Sequence, residues 1–103
     1  MADVYTTRFL NAGAVAFAEF TAPAGYRCVL RDINMLFNGA LTADGWSFAI
    51  AGKLLAAGQV PSSAVFMWRW QGRQVIEAGE ELTFGASNPN FYVLASGYQL
   101  FLP

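Results

Sequence analysis

The chain has 103 residues, 55% of them hydrophobic and 13% charged, with six Lys and Arg against seven Asp and Glu and no histidine. An ordinary soluble domain carries about 25% charged residues, and a chain this short buries only about 60–70% of the surface its unfolded form exposes, so apolar side chains are left over for partners. A net charge of −1 gives nucleic acid no basic field to bind, and charged residues with Gly and Pro interrupt every apolar run before the roughly 18 residues of a membrane span.

One domain over residues 1–103 is what this length supports. Met1-Ala2-Asp3-Val4 lacks the basic and apolar segments of a signal peptide, which points to synthesis in a cytoplasm. Residues 4–10 read as a first strand and residues 14–20 as a second. Over 11–20 the alanines also fit a helix, but Val15, Phe17 and Glu19 alternate with alanines at period two and Pro23 follows soon after, which favours strand. Ala22-Pro23-Ala24-Gly25 is a turn, and residues 26–37 form the next strand.

Asn38-Gly39 and Asp44-Gly45 mark further turns before a strand at 46–51, in which Trp46, Phe48 and Ile50 share the core face and the small Ser47, Ala49 and Ala51 the other. Residues 53–63 fit a helical turn, a short strand over 53–57 or a loop ending at Pro61. Residues 64–71 alternate Phe66, Trp68 and Trp70 with Val65, Met67, Arg69 and Gln71, so the second face begins apolar and ends polar. A turn at Glu77-Ala78-Gly79-Glu80 leads to a strand over 81–86, and Asn88-Pro89-Asn90 to a last strand over 91–102. In that strand Tyr92, Leu94, Tyr98, Leu100 and Leu102 lie on one parity and Phe91, Val93 and Phe101 on the other, so it is either central in a sheet or covered by a neighbouring subunit. Seven to eight short strands separated by turns predict an all-β, single-domain antiparallel β-sandwich of jelly-roll type.

Chemistry has little to work with. Without histidine the commonest general base and metal ligand are missing. The single Cys28 lies between Arg27 and Arg31, but on a strand both arginines face away from it, so the expected thiol is buried and inert. Glu77, Glu80 and Glu81 gather at one turn, where solvated carboxylates outweigh a weak calcium site. Asp32 in an apolar strand must be paired or exposed, and Arg69 or Arg73 is the expected cross-strand partner. No Gly-rich phosphate loop and no zinc spacing occurs. The expectation is no enzyme, no catalytic or metal-binding residue and no cofactor. Trp46, Trp68, Trp70, Tyr26, Tyr92 and Tyr98 could offer a sugar-stacking platform, although bulky aromatics more often fill a small core. Arg69 with Gln71, if turned outward, suits an interface rim.

Three segments go further. Thr21-Ala22-Pro23-Ala24-Gly25-Tyr26 followed by Val29-Leu30-Arg31-Asp32-Ile33, the run Trp70-Gln71-Gly72-Arg73-Gln74-Val75-Ile76-Glu77-Ala78-Gly79-Glu80-Glu81-Leu82, and Ser96-Gly97-Tyr98-Gln99-Leu100 cover most of the chain from Thr21 onward. They resemble the turn and "V-x-R-D-I" strand, the "W-x-G-R-Q-V-L-x-x-G-E-x-L" segment and the terminal "S-G-Y-x-L" strand of small virion structural proteins of tailed bacteriophages. Cys28 and Gln99 stand where that pattern is variable, and the first twenty residues have no counterpart. The resemblance implies a non-enzymatic virion component made in the cytoplasm of a bacterial host: foremost a capsid decoration or cement protein, otherwise a tail- or fibre-associated protein. Its implied partners are the major capsid protein or tail proteins and copies of itself, a trimer foremost, with no nucleic acid and no membrane. A carbohydrate-binding module is the expectation from a different class. The expected interface residues are Trp68, Arg69, Trp70, Phe91, Tyr92, Val93, Tyr98 and Phe101.

Overall fold

The computed structural model describes residues 5–38, 45–60 and 65–102. Eight strands follow one another: β1 (Tyr5–Val15), β2 (Phe17–Thr21), β3 (Tyr26–Asn38), β4 (Gly45–Ile50), β5 (Lys53–Gln59), β6 (Val65–Ile76), β7 (Glu81–Ala86) and β8 (Phe91–Phe101). All pairings are antiparallel, in two four-stranded sheets ordered β1-β8-β3-β6 and β2-β7-β4-β5. The chain crosses from one sheet to the other at every connection except the β4–β5 hairpin. That order is the double Greek key of a jelly roll, so the chain is an all-β antiparallel sandwich.

Local chemistry sets the corners. The turn after β2 is closed by the Tyr26 N–H donating to the Pro23 carbonyl at 3.3 Å, with Gly25 at φ 84°. Its counterpart after β6 is closed by the Glu80 N–H donating to the Glu77 carbonyl at 2.9 Å, with Gly79 at φ 86°. The Ala22 N–H donates to the Glu80 carbonyl and the Gly79 N–H to the Ala22 carbonyl, both at 2.9 Å, which ties the two turns together. Before β8, Asn88 Oδ1 accepts the Asn90 N–H at 2.9 Å, as a turn-forming asparagine does. Gly39 and Asp44, assigned to turns from the sequence, lie outside the described residues.

Several strand limits differ from the sequence expectation. The first strand runs on to Val15, and the expected 14–20 strand begins only at Phe17. The cause is a register shift between Ala12 and Val15 with Ala14 at φ 55°, which turns the chain out of one sheet and into the other without a helix. The undecided stretch after β4 is a strand to Gln59, and residues 61–64 lie outside the description. The expected 64–71 strand continues to Ile76 because β3 pairs with it as far as Cys28 opposite Ile76.

The core follows the alternation. Phe48, Phe84 and Trp46 from one sheet meet Trp68, Phe37 and Phe91 from the other. Ring centroids lie 4.7 Å apart for Trp46–Trp68, 5.5 Å for Phe48–Trp68 and 5.6 Å for Phe84–Phe91, while Phe9–Phe20 at 4.8 Å joins β1 to β2. These aromatic pairs are the cross-sheet adhesive, each worth about 0.5–1.5 kcal/mol beyond the area it buries. Cys28 is buried inward, and Arg27 and Arg31 are exposed on the opposite side, as the alternation required. Burial raises its thiol above the ordinary value, partly offset by a hydrogen bond with Gln99.

Candidate functional site on the outer face of the β1-β8-β3-β6 sheet

β8 sits between β1 and β3 and buries Phe91, Val93 and Ala95 inside the sandwich. Its inward parity is therefore apolar because it fills the core, while Tyr92, Leu94 and Tyr98 of the other parity stand on the outer face. Two expected interface residues, Phe91 and Val93, are corrected by this: they belong to the chain's own core and are closed to a partner. Trp68 and Trp70 are half-buried against that core, Trp68 stacked on Phe48 with planes 18° apart and Trp70 lying across Gly72. Packed in this way, Trp68 turns a ring face to Phe48. Of the remaining residues, Arg69, Tyr92 and Phe101 are exposed and Tyr98 is half-buried.

The strand registers arrange the outer face in rows. Leu36 lies opposite both Tyr92 and Met67, with Gly13 beneath the Tyr92 ring, and this makes an apolar row. Asn34 lies opposite Leu94 and Arg69, and Leu94 opposite Asn11, which makes a mixed row beside it. Beyond that run Arg8, Ser96, Asp32 and Gln71. The first two rows line an open depression of about 510 Å³. A Cβ on Gly13 would meet the Tyr92 ring at 3.0 Å, so the glycine lets that ring lie down along the floor. Arg69 Nε donates to Asn34 Oδ1 at 3.1 Å, which fixes the guanidinium over the depression.

Farther along the face β6 bulges against β3, since Leu30 pairs with Gln74 but Asp32 with Gln71, which sets Gly72 and Arg73 opposite the single Arg31. Arg31 and Arg73 are both exposed at this bulge. Arg73 Nη2 donates to the Tyr98 hydroxyl at 3.1 Å, and this bond, helped by Arg31, holds the phenol below its ordinary value. The sequence expectation that Arg69 or Arg73 pairs with Asp32 is corrected, because each binds a neutral oxygen instead, Asn34 and Tyr98 respectively. Asp32 is half-buried and, among the described residues, makes no ion pair. The turn acids are engaged structurally: Glu77 pairs with Arg27 at 3.1 Å, and Glu80 Oε1 accepts the Glu77 N–H at 2.9 Å. No group of three or more metal-ligating side chains forms among the described residues, and none of their helices is long and apolar enough to cross a membrane.

The registers also explain what sequence reasoning missed here. Asn11, Asn34, Leu36 and Met67 stand on three strands, and their adjacency follows from pairing, which no single strand's alternation reveals.

The comparisons with known proteins add little to this geometry. No family model matches the chain, and no curated protein does. Among solved structures it is similar to the crystal structure of dimeric latent PorU from Porphyromonas gingivalis, with a TM-score of 0.46 and 10% identity, over 98% of this chain and 13% of that one. The chain thus spans about an eighth of that protein's length, and a likeness at this level carries no functional argument.

Proposed function

We propose that this chain is a non-enzymatic structural subunit of the virion of a tailed bacteriophage, a decoration protein that associates with copies of itself, as a trimer, and braces the major capsid protein. The observation that supports the reading most is where its large apolar side chains stand. Phe17 is 60% exposed and Leu54 67%, and both lie on the outer face of the β2-β7-β4-β5 sheet. Between them the registers place small side chains and a glycine, Ser47, Ala57 and Gly85 in the row of Phe17 and Ala49 with Thr83 in the row of Leu54, which ends on the exposed Glu19 beside Phe17. A flat face with an apolar anchor at each edge lets a neighbouring subunit approach the backbone closely and buries both anchors. Burial of such area stabilises by about 25 cal/mol per Å². Jelly rolls also serve lectins and cupins, so the fold alone does not choose among these; the apolar excess of the sequence and its resemblance to small virion proteins favour the structural role.

The experiment is light scattering on the purified chain beside the double variant Phe17→Ser/Leu54→Ser. A trimer that becomes a folded monomer in the variant is the expected outcome. A monodisperse wild-type monomer at micromolar concentration, with no contacts between copies in the particle, refutes the reading. On the capsid, loss of the protein leaves particles that assemble but break at lower temperature. Unchanged heat resistance with impaired adsorption supports the second reading, a tail- or fibre-associated subunit, which the ligand-sized depression on the other sheet favours.

A further inference from the structure

We propose that the depression on the β1-β8-β3-β6 sheet binds a saccharide bearing a carboxylate, of the uronic-acid type, with Tyr92 as the stacking floor and Arg69 as the anion partner. Its size comes first. At about 510 Å³ it falls within the roughly 300–1,000 Å³ of small-molecule sites. A second copy across a two-fold axis is a poor occupant, because such a contact sets a surface against itself and two facing hollows leave a void between them.

The chemistry of the rows narrows the class. The Tyr92 ring is 43% exposed and Met67 76%, and with Leu36 they form a strip that hydrates poorly. Directly beside it stand the carboxamides of Asn11 and Asn34 and the guanidinium of Arg69. An occupant must therefore be apolar on one flat side and rich in hydrogen-bonding groups along its edge. A pyranose ring has that form: its C–H face meets the negative face of an aromatic ring, and its hydroxyls bond amides at the rim. A purely apolar ligand or peptide side chain would cover the Asn11 carboxamide and the remaining donors of the Asn34–Arg69 pair without offering them partners.

Charge then selects within the saccharides. Among the described residues lining the depression Arg69 is the one charged side chain, and none of them is a carboxylate. Its Nε is held by Asn34, which leaves the two terminal nitrogens of the fork to receive a carboxylate. The wall is prearranged as well. Ala14 holds φ 55° at the bulge beside Gly13, a left-handed conformation that a non-glycine residue adopts only where the surrounding structure holds it. The bulge carries Gly13 under the Tyr92 ring, so the floor stands in place before any ligand arrives.

The test is a titration of the full isotope-labelled chain, followed by amide chemical shifts, with tri-galacturonate and with the neutral galactose trisaccharide as probes. The expected result is perturbation confined to amides near residues 11–13, 34–36, 67–69 and 92–94, with tri-galacturonate binding more tightly. Tyr92→Ala should weaken binding about tenfold or more, and Tyr92→Leu, which keeps apolar bulk without a ring face, should weaken it nearly as much. Arg69→Gln should bring tri-galacturonate down to the level of the neutral trisaccharide. Retained core-amide dispersion shows each variant folded. The proposal is overturned if neither probe perturbs these amides at millimolar concentration, if both bind equally, if the substitutions leave binding unchanged, or if an aromatic peptide perturbs the same amides at lower concentration than either sugar. None of these outcomes bears on self-association through the opposite sheet.

Discussion

Replacing Phe48 by Ala should remove much of the stability of this chain. Phe48 is fully buried, with its ring 5.0 Å from that of Phe84, 5.5 Å from Trp68 and 6.0 Å from Trp46. At about 25 cal/mol per Å², over the ~150 Å² of apolar surface that distinguishes the two side chains, the transfer alone is worth about 3–4 kcal/mol. The walls of the resulting cavity are three rigid rings that cannot fold inward to fill it, which places the cost near the upper end of the roughly 3–5 kcal/mol seen for such truncations. A domain of this size has about 5–15 kcal/mol in total. With about 4–8 °C lost per kcal/mol, the melting temperature should fall by about 15–40 °C. Thermal unfolding followed by circular dichroism measures this, with Met67→Ala as the exposed control, expected within about 0.5 kcal/mol of wild type. A Phe48→Ala protein that melts within a few degrees of wild type, or a Met67→Ala protein that loses more, would refute the assignment of faces and with it the account of how the sheets adhere.

Gly97→Ala should cost about 3 kcal/mol or more, read as a lower urea midpoint, because a Cβ there would run into the Val29 carbonyl and meet the Phe9 ring at 3.1 Å, and backbone cannot rotate aside. Ala51 and Gly52, at φ 53° and 77°, make the two-residue turn joining β4 to β5; Ala51→Asn should stabilise by about 0.5–1 kcal/mol, since asparagine accepts the left-handed region more readily. Cys28 should resist a thiol reagent in the folded chain and react on unfolding. Because burial raises its thiol from the ordinary 9.0, the folded state holds that proton more tightly: its contribution is full below 9.0 and is lost as pH rises from there through the folded value. Tyr98, lowered by Arg73, slopes the other way, so the difference between wild type and Cys28→Ala across that range isolates the thiol, and a flat difference would contradict its burial.

The parts of the fold that were legible in sequence are those that one strand decides alone. Large residues alternating with small ones in β4 identified Trp46 and Phe48 as core, and Gly25 and Gly79 stood where their turns demand a left-handed backbone. Bulges are harder to read. The shift at Ala12 to Val15 moved the boundary of β1, and at the bulge of β6 between Gln71 and Gln74 Arg73 binds the Tyr98 hydroxyl and not the expected Asp32. Composition does not announce such insertions, because the extra residue matters only against a partner strand. The same limit governed the interface residues: Phe91 and Val93 satisfied the apolar pattern of a contact surface, but β8 is central and that pattern fills its own core.

The two outer faces of the sandwich divide the leftover apolar surface unevenly, and this gives the molecule its functional character. On the β2-β7-β4-β5 side the outward residues Ser47, Ala49, Ala57 and Gly85 are short, because every large residue of β4 is turned inward to meet Trp68 and Phe84. A surface so smooth has no hollow to grip a small molecule, and its charges, Glu19 and Glu81, stand toward one side of it, so over the small residues it lets another backbone come close. On the β1-β8-β3-β6 side the outward residues are long and mixed, Tyr92 and Met67 beside Asn34 and Arg69, and they enclose a hollow. Such a hollow suits a ring-sized ligand and packs poorly against protein. In the proposed assembly, through one face with the other presented, what matters is that the sheets do not slide, and the rings of Trp46, Phe48, Trp68, Phe84 and Phe91, interleaved across the core, lock that register.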